Sequence, residues 1–191
     1  MSNYCCENSI LYIKGWLDED SATSLMTGLC QGMPWRQEAI TMFGRSVMQP
    51  RLQCWMGDKS YTYSGLALKP LKWHYLLVPI RNRLMQEFGV DFNAVLLNYY
   101  RDGHDYMGYH RDNEKSLGEQ PVIASLSLGV ERRFLFRHRQ SKEVVEYRLA
   151  PGSLLVMRGD SQTEWEHALP KMRRVTEPRI NLTFRHIVDE E

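Results

Sequence analysis

The chain has 191 residues, 43% hydrophobic and 25% charged, with a formal net charge of +1 at pH 7. That length suits one domain with a sizeable core, and no apolar run is long enough to read as a membrane-spanning helix or a signal peptide. So small a net charge excludes bulk attraction to nucleic acid; a polyanion would have to meet a local cluster, with Arg132, Arg133, Arg137 and Arg139 or Lys171, Arg173 and Arg174 as candidates.

The polar opening "MSNYCCENS" contains two of the four cysteines, Cys5 and Cys6; the others are Cys30 and Cys54. None forms a Cys-x-x-Cys pair, so no structural zinc site is expected. Reduced thiols in a cytoplasmic protein, or a nuclear one in a eukaryote, are the expectation. Residues 9–17, "SILYIKGWL", read as a short strand. Asp18 is an N-cap candidate for a helix with Leu25, Met26 and Leu29 at helical spacing and Gly32 as its stop.

Residues 41–65 mix glycine, proline and aromatics and read as loops and short strands. Pro79 suits the first turn of a helix with Ile80, Leu84 and Phe88 on one face and Gly89 at its end; a helical segment before Pro79, kinked there, is also expected. After residue 92 the pattern changes to short runs such as "NAVLLNYY", "VIASLSLG", "RRFLFRHR", "SLLVM" and "RINLTFRHI", separated by turn residues. "APGS" at 150–153 is one such turn. In "RRFLFRHR", alternation puts Phe134, Phe136 and His138 on one face and Arg133, Arg137 and Arg139 on the other. Strands at this spacing predict a mainly β sandwich or barrel, with flanking helices from the N-terminal part.

"YMGYHRDNE", residues 106–114, raises the question of chemistry. His110 and Asp112, two apart in an extended segment, point to one side and can share a metal ion. His167, in "EWEHALP", could return beside them as a third ligand. Two histidines and one carboxylate on one face are the donor set of non-haem Fe(II) oxygenases, although a lone His-x-Asp is more often a hydrogen-bonded pair. Arg179 and Arg185, in "RINLTFR", share a strand face with Asn181 and Thr183. Two arginines pointing into an apolar barrel call for anions: a small dicarboxylate, or protein carboxylates at the rim.

Together, His110-x-Asp112, His167, and Arg179 and Arg185 around "RINLTFR" resemble the AlkB family of Fe(II)- and 2-oxoglutarate-dependent dioxygenases, over roughly residues 40–187. "NYYRDGHDYMGYHRDNE" adds the family's Asn-x-Tyr before its His-x-Asp, and "PRLQCWMGD" and "YTYSG" look like substrate-side motifs of its nucleic-acid-repair branch. The resemblance implies a double-stranded β-helix (jelly-roll) core at 92–191, preceded by an N-terminal extension, 1–91, with helices and a nucleotide-recognition lid. It implies Fe(II) on His110, Asp112 and His167. It implies 2-oxoglutarate with one carboxylate at Arg179 and the iron-side carboxylate near Arg185, contacted by Asn98 and Tyr100, with Asn181 on the same face. On the substrate side it implies Tyr63 stacked on a flipped base opposite His110, Tyr61 lining the pocket, Glu114 facing the base, and Phe43 and Arg51 in the lid. Arg137, Arg139, Arg173 and Arg174 would contact phosphates. The chain departs from several relatives at Asn113, where they carry a second acid. The implied activity is oxidative demethylation of 1-methyladenine- and 3-methylcytosine-type bases in DNA or RNA, using O2 and releasing succinate, CO2 and formaldehyde. A monomer is expected, because the sequence has no obvious apolar interface stripe. The rivals are a 2-oxoglutarate dioxygenase with a non-nucleic-acid substrate, a non-catalytic nucleic-acid-binding jelly roll, and a zinc hydrolase.

Overall fold

The computed structural model describes residues 9–42, 44–63 and 66–188, and for 41–42, 61–63 and 66–68 the backbone alone. In chain order the elements are β1 (Ile10–Ile13), α1 (Glu19–Gly32), β2 (Ala39–Met42), β3 (Arg45–Met48), β4 (Leu52–Gly57), β5 (Tyr61–Tyr63), β6 (Leu66–Leu68) and α2 (Val78–Phe88). Then come β7 (Ala94–Tyr100), β8 (Met107–His110), β9 (Ile123–Gly129), β10 (Arg132–His138), β11 (Val144–Leu149), β12 (Leu154–Met157), β13 (Trp165–Leu169) and β14 (Arg179–Arg185). A six-stranded sheet has the order β1-β12-β9-β14-β7-β4, and a four-stranded sheet the order β11-β10-β13-β8. Every neighbouring pair in both sheets is antiparallel. β2–β3 and β5–β6 are separate hairpins. This is the expected mainly β jelly roll with flanking helices.

Period-two alternation divides the large sheet into two different faces. On β14, Ile180, Leu182 and Phe184 join a core with Val95 and Leu97 of β7, Ala124, Leu126 and Leu128 of β9, and Leu25 and Leu29 of α1. The intervening residues of β14, Arg179, Asn181, Thr183 and Arg185, are also buried but line a cavity on the opposite face. One face is thus an apolar seat for the helices, and the other carries polar groups into the space facing the small sheet.

The helices form where their signals place them. The Asp18 carboxylate accepts a hydrogen bond from the Ser21 amide at 2.9 Å, and α1 ends at Gly32. α2 has Pro79 in its first turn and closes at Gly89, whose φ of 66° is the left-handed conformation glycine tolerates. The helical segment expected before Pro79 is no more than a turn at 75–77: Leu77 caps α2, Val78 opens it and Pro79 lies in its first turn, where its missing N–H costs no helical hydrogen bond, so there is no kink.

"PRLQCWMGD", which resembles a substrate-side motif, contains β4, an edge strand of the large sheet with Cys54, Trp55 and Met56 buried, while its Pro50 and Arg51 line an apolar groove. The division at 91/92 does not separate sheet from extension, because β1 and β4 supply both edges of the large sheet. Isolated bridges from Arg36 to Gln53 and from Leu71 to Met56 cover part of the open side of β4. Phe43 lies outside the described residues.

The turn at 150–153 closes against the start of the chain. Gly152 has φ of 69°, its carbonyl accepts from the Leu17 amide at 2.9 Å, and a Cβ there would lie 2.2 Å from the Leu17 carbonyl oxygen. Gly152→Ala is expected to destabilise the fold by about 2–4 kcal/mol, combining left-handed strain with a backbone clash, as read by denaturant unfolding.

Candidate metal centre

β8 and β13 are adjacent and antiparallel, and their register sets His167 directly opposite His110. The two imidazole centroids are 4.3 Å apart. Asp112 follows β8 by two residues, and one donor atom from each of His110, Asp112 and His167 lies within 4.8 Å of the others. The strand pairing thus supplies the distant third ligand that the His-x-Asp spacing called for.

Each ligand is held by a neighbour. His110 Nδ1 donates to the Gly108 carbonyl at 2.9 Å; a carbonyl only accepts, so Nδ1 carries the proton and Nε2 keeps its lone pair for a metal. His167 is packed by Phe134, stacked at 5.5 Å, and by Phe136 at 5.8 Å. Asp112 accepts from Arg185 at 2.6 Å, and its own amide donates to Gln162 Oε1 at 2.9 Å. Gln162 comes from the turn at 159–162 and is itself buried.

The electrostatics prepare the same set for a cation. Burial, and then the charge of His110, push the His167 imidazole down to about 3, so it is neutral. Burial likewise lowers His110, against the pull of Asp112. Burial alone would raise the Asp112 carboxyl, but Arg185 and the two imidazoles outweigh it and hold it well below the usual carboxylate range. A deprotonated carboxylate and two neutral imidazoles form the donor set that suits ferrous iron with positions left open. His167 Nδ1 is buried without a hydrogen-bond partner, a cost that metal ligation by the ring would offset. The residues present therefore fit the group.

A cavity of about 50 Å³ adjoins the triad, and Asn98, Tyr100, Arg179, Asn181 and Arg185 all line it. Arg179 is 1% exposed; its Nη2 donates to Ser127 Oγ at 3.0 Å, and no ion-pair partner for it is found among the described residues. Burial pushes its guanidinium down to about 10, so it remains a cation. Of the two anions weighed for these arginines, protein carboxylates at the rim do not serve Arg179.

Other expected contacts are redirected. Arg185 lines the cavity while its Nη2 and Nε are on Asp112 Oδ2 at 2.6 and 3.2 Å. The Asn181 amide is spent on Ser125 Oγ and the Leu126 carbonyl, and accepts from Thr183 Oγ1. Arg51 is no exposed lid residue: it is 3% exposed, with Nε on Asn98 Oδ1 at 2.8 Å and Nη2 on Gln49 Oε1 at 2.6 Å. Glu114 is half-buried beside the turn at 115–117 and is not among the residues lining the cavity. Tyr61 and Tyr63 lie on β5, but their side chains fall outside what is described.

The basic clusters are also reduced. Arg132, offered to a polyanion, is fully buried because it shares the inward face with Phe134 and Phe136. Arg133 pairs with Glu146, diagonal to it on β11, at 2.8 Å, and Arg137 with Glu166, directly opposite on β13, at 2.6 Å. Arg139 donates to the Thr163 carbonyl, while Lys171, Arg173 and Arg174 are exposed.

Gln162, Ser125, Ser127, Gln49 and Gln53 escaped the sequence reading; the last two join the expected Arg51 and Asn98 in one bonded group. Their only signal was a polar residue at an inward strand position, visible at Ser125 and Ser127 in "VIASLSLG" once the face is known. Next to the cavity runs an apolar groove of about 490 Å³ that includes Val47, Met48, Pro50, Tyr106 and Tyr109; Arg51, Met107 and His110 line both spaces.

Comparison with known proteins agrees with this geometry. The profile of the 2OG-Fe(II) oxygenase superfamily matches residues 9–185. The human alpha-ketoglutarate-dependent dioxygenase alkB homolog 3 is 38% identical over 183 residues, covering 91% of this chain and 64% of that protein. The mouse DNA oxidative demethylase ALKBH2 is 44% identical over 159 residues, 78% of this chain and 66% of that protein. The bovine ALKBH2 is 39% identical over 198 residues, 96% of this chain and 69% of that protein. This chain thus spans about two thirds of the length of these relatives. The solved structure of OsALKBH1 shares the fold, with a TM-score of 0.64 over 93% of this chain and 97% of that one, at 16% identity. With the His-Asp-His centre, the inward arginines and these relatives in agreement, the chain belongs to the AlkB family of the 2OG-Fe(II) oxygenase superfamily.

Proposed function

We propose that this protein oxidatively demethylates N-alkylated nucleobases, of the 1-methyladenine and 3-methylcytosine type, in nucleic acid, and that it works as a monomer. The observation that carries the reading is Arg179, a buried cation without a carboxylate partner among the described residues, in the same cavity as a complete His-Asp-His donor set. A dicarboxylate cosubstrate supplies the missing anion, and a bare metal hydrolase has no use for that cation. The relatives named as DNA oxidative demethylases and the apolar groove leading from His110 support a base as the substrate.

His110, Asp112 and His167 would hold ferrous iron. Bound there with 2-oxoglutarate, it supplies O2 activation, which oxidises an N-methyl group with release of succinate, CO2 and formaldehyde. The chain's own part is placement. Arg179, with Tyr100 beside it, receives one carboxylate of 2-oxoglutarate and thereby points the 2-oxo acid end toward the three ligands. Arg185 fixes Asp112 in its ionised form and orientation. Gln162 fixes the backbone of that aspartate. Arg51, lining both cavity and groove and braced by Asn98 and Gln49, sets the border between cosubstrate and base. The apolar groove wall excludes water from a base that has left its stack. Tyr63 and Glu114 are the residues to which the family resemblance gives stacking on, and facing, that base.

The defining experiment measures formaldehyde and succinate from purified protein with Fe(II), ascorbate and 2-oxoglutarate. The substrate is an oligonucleotide with one 1-methyladenine, single- and double-stranded. Formaldehyde requiring both iron and oligonucleotide is expected; succinate without formaldehyde on any methylated base would overturn the nucleobase reading. His110→Ala, Asp112→Ala and a strong chelator are each expected to reduce turnover at least ~100-fold, because a ligand or the metal is lost. Arg179→Met should raise KM for 2-oxoglutarate about 30-fold or more while leaving KM for the oligonucleotide within about twofold, as expected for a lost charge pair in a buried site. Gln162→Leu should weaken metal binding about 10- to 100-fold, measured by titration with Co(II).

A further inference from the structure

Behind Arg179 lies a second buried cation that does not touch the cavity. Arg132 is 0% exposed. Its Nη1 donates to the Asp102 carbonyl, and its Nη2 to the carbonyls of Asp105 and Pro170, each at 2.9 Å. All three acceptors are neutral, and no carboxylate lies at ion-pair distance from Arg132 among the described residues. Tyr100 stands near both guanidiniums, its ring centroid 5.9 Å from Arg132 Cζ and 5.4 Å from Arg179 Cζ. The Nε of each arginine is buried without a hydrogen-bond partner.

Two cations on one buried ring are costly. Burial and, after it, the Arg132 charge both disfavour the charged form of Arg179. Stapling the loops at 101–106 and 170–175 would need donors to three carbonyls but no net charge. Asp105 and Asp102 act on the Arg132 charge only at longer range and do not overcome its burial, and the cavity that Tyr100 lines is where a dicarboxylate arrives.

We propose that Arg132 is a positioning residue for the cosubstrate: acting from behind Tyr100, it adds its charge to that of Arg179 and deepens the well that holds the far carboxylate of 2-oxoglutarate. The proposal rests on the reading of this site as a 2-oxoglutarate site. Buried charges several ångströms apart interact strongly enough to change affinity on the order of tenfold at an effective dielectric constant of about 20. A staple alone would act on any ligand of the cavity; a charge acts only on a ligand that brings the second carboxylate.

The test is calorimetric binding to Mn(II)-loaded protein without oxygen, so that no turnover is involved. The two probes are 2-oxoglutarate and 2-oxopentanoate, which share the 2-oxo acid end and differ only in the far carboxylate. Arg132→Met is expected to weaken 2-oxoglutarate about tenfold and 2-oxopentanoate less than about twofold, with Arg132→Lys restoring most of the loss. Equal weakening of both, or unchanged affinity for 2-oxoglutarate, would overturn the proposal. If Arg132→Met does not fold, Arg179→Met with Arg132 intact decides: a residual preference for the dicarboxylate is expected, and its complete loss overturns the role of Arg132. Wild-type protein that shows no preference between the two ligands would instead overturn the cosubstrate reading itself.

Discussion

The ion pair between Asp112 and Arg185 joins the two sheets at the point where the chemistry sits. Asp112 follows β8 at the edge of the small sheet, and Arg185 ends β14 in the middle of the large one. Both side chains are almost wholly buried. Breaking such a pair by removing one partner costs about 3–5 kcal/mol, because it strands a charge in a dry site. The pair therefore sets the spacing between sheets as well as the ionisation of the metal carboxylate. An incoming cation adds a second partner for Asp112 while Arg185 keeps its orientation.

The rest of the inner face follows the same constraint at most of its polar groups, which bond one another along and across strands, while His167 Nδ1 and the Nε atoms of Arg132 and Arg179 are left over. Asn181 is bound to Ser125 and Thr183, and Arg179 to Ser127. Gln49, Arg51, Gln53 and Asn98 form a bonded group that ties the end of the β2–β3 hairpin to β7. These contacts hold side chains in single orientations, which a site that must aim a small dicarboxylate at a metal requires. The stabilisation comes from the opposite face of the same strands, where aliphatic residues pack under α1 and α2.

The outer rim explains how a chain of nearly zero net charge can still present cations to a polyanion. On the small sheet Arg133 meets Glu146 and Arg137 meets Glu166 one strand away, so those surface charges are locally neutralised. Lys171, Arg173 and Arg174 form an exposed group in the loop before β14, and Lys171 covers the ring of Tyr106, a groove residue, at 4.6 Å. A local group of this kind favours oriented contact over non-specific attraction.

The sequence alone determined the elements and the donor types. Apolar alternation after residue 92, Asp18 and Pro79 as helix signals, His-x-Asp, and the even spacing of Arg179 and Arg185 are all local patterns, and local backbone geometry carries them into the fold. It also showed which residues of "RINLTFR" share a face. What it could not determine was which strand lies next to which, because many antiparallel pairings satisfy one alternation pattern. The tertiary structure decided that β13 pairs with β8, which puts His167 opposite His110. It decided that β4, in a segment read as loops and short strands, forms one edge of the sheet. It set Arg185 on Asp112 at the cavity wall, and buried Arg51 and Arg132, whose sequence neighbours look like surface. A charged side chain is assigned to solvent or to a partner only when the partner's position in space is known, and that position is a property of the whole packed chain.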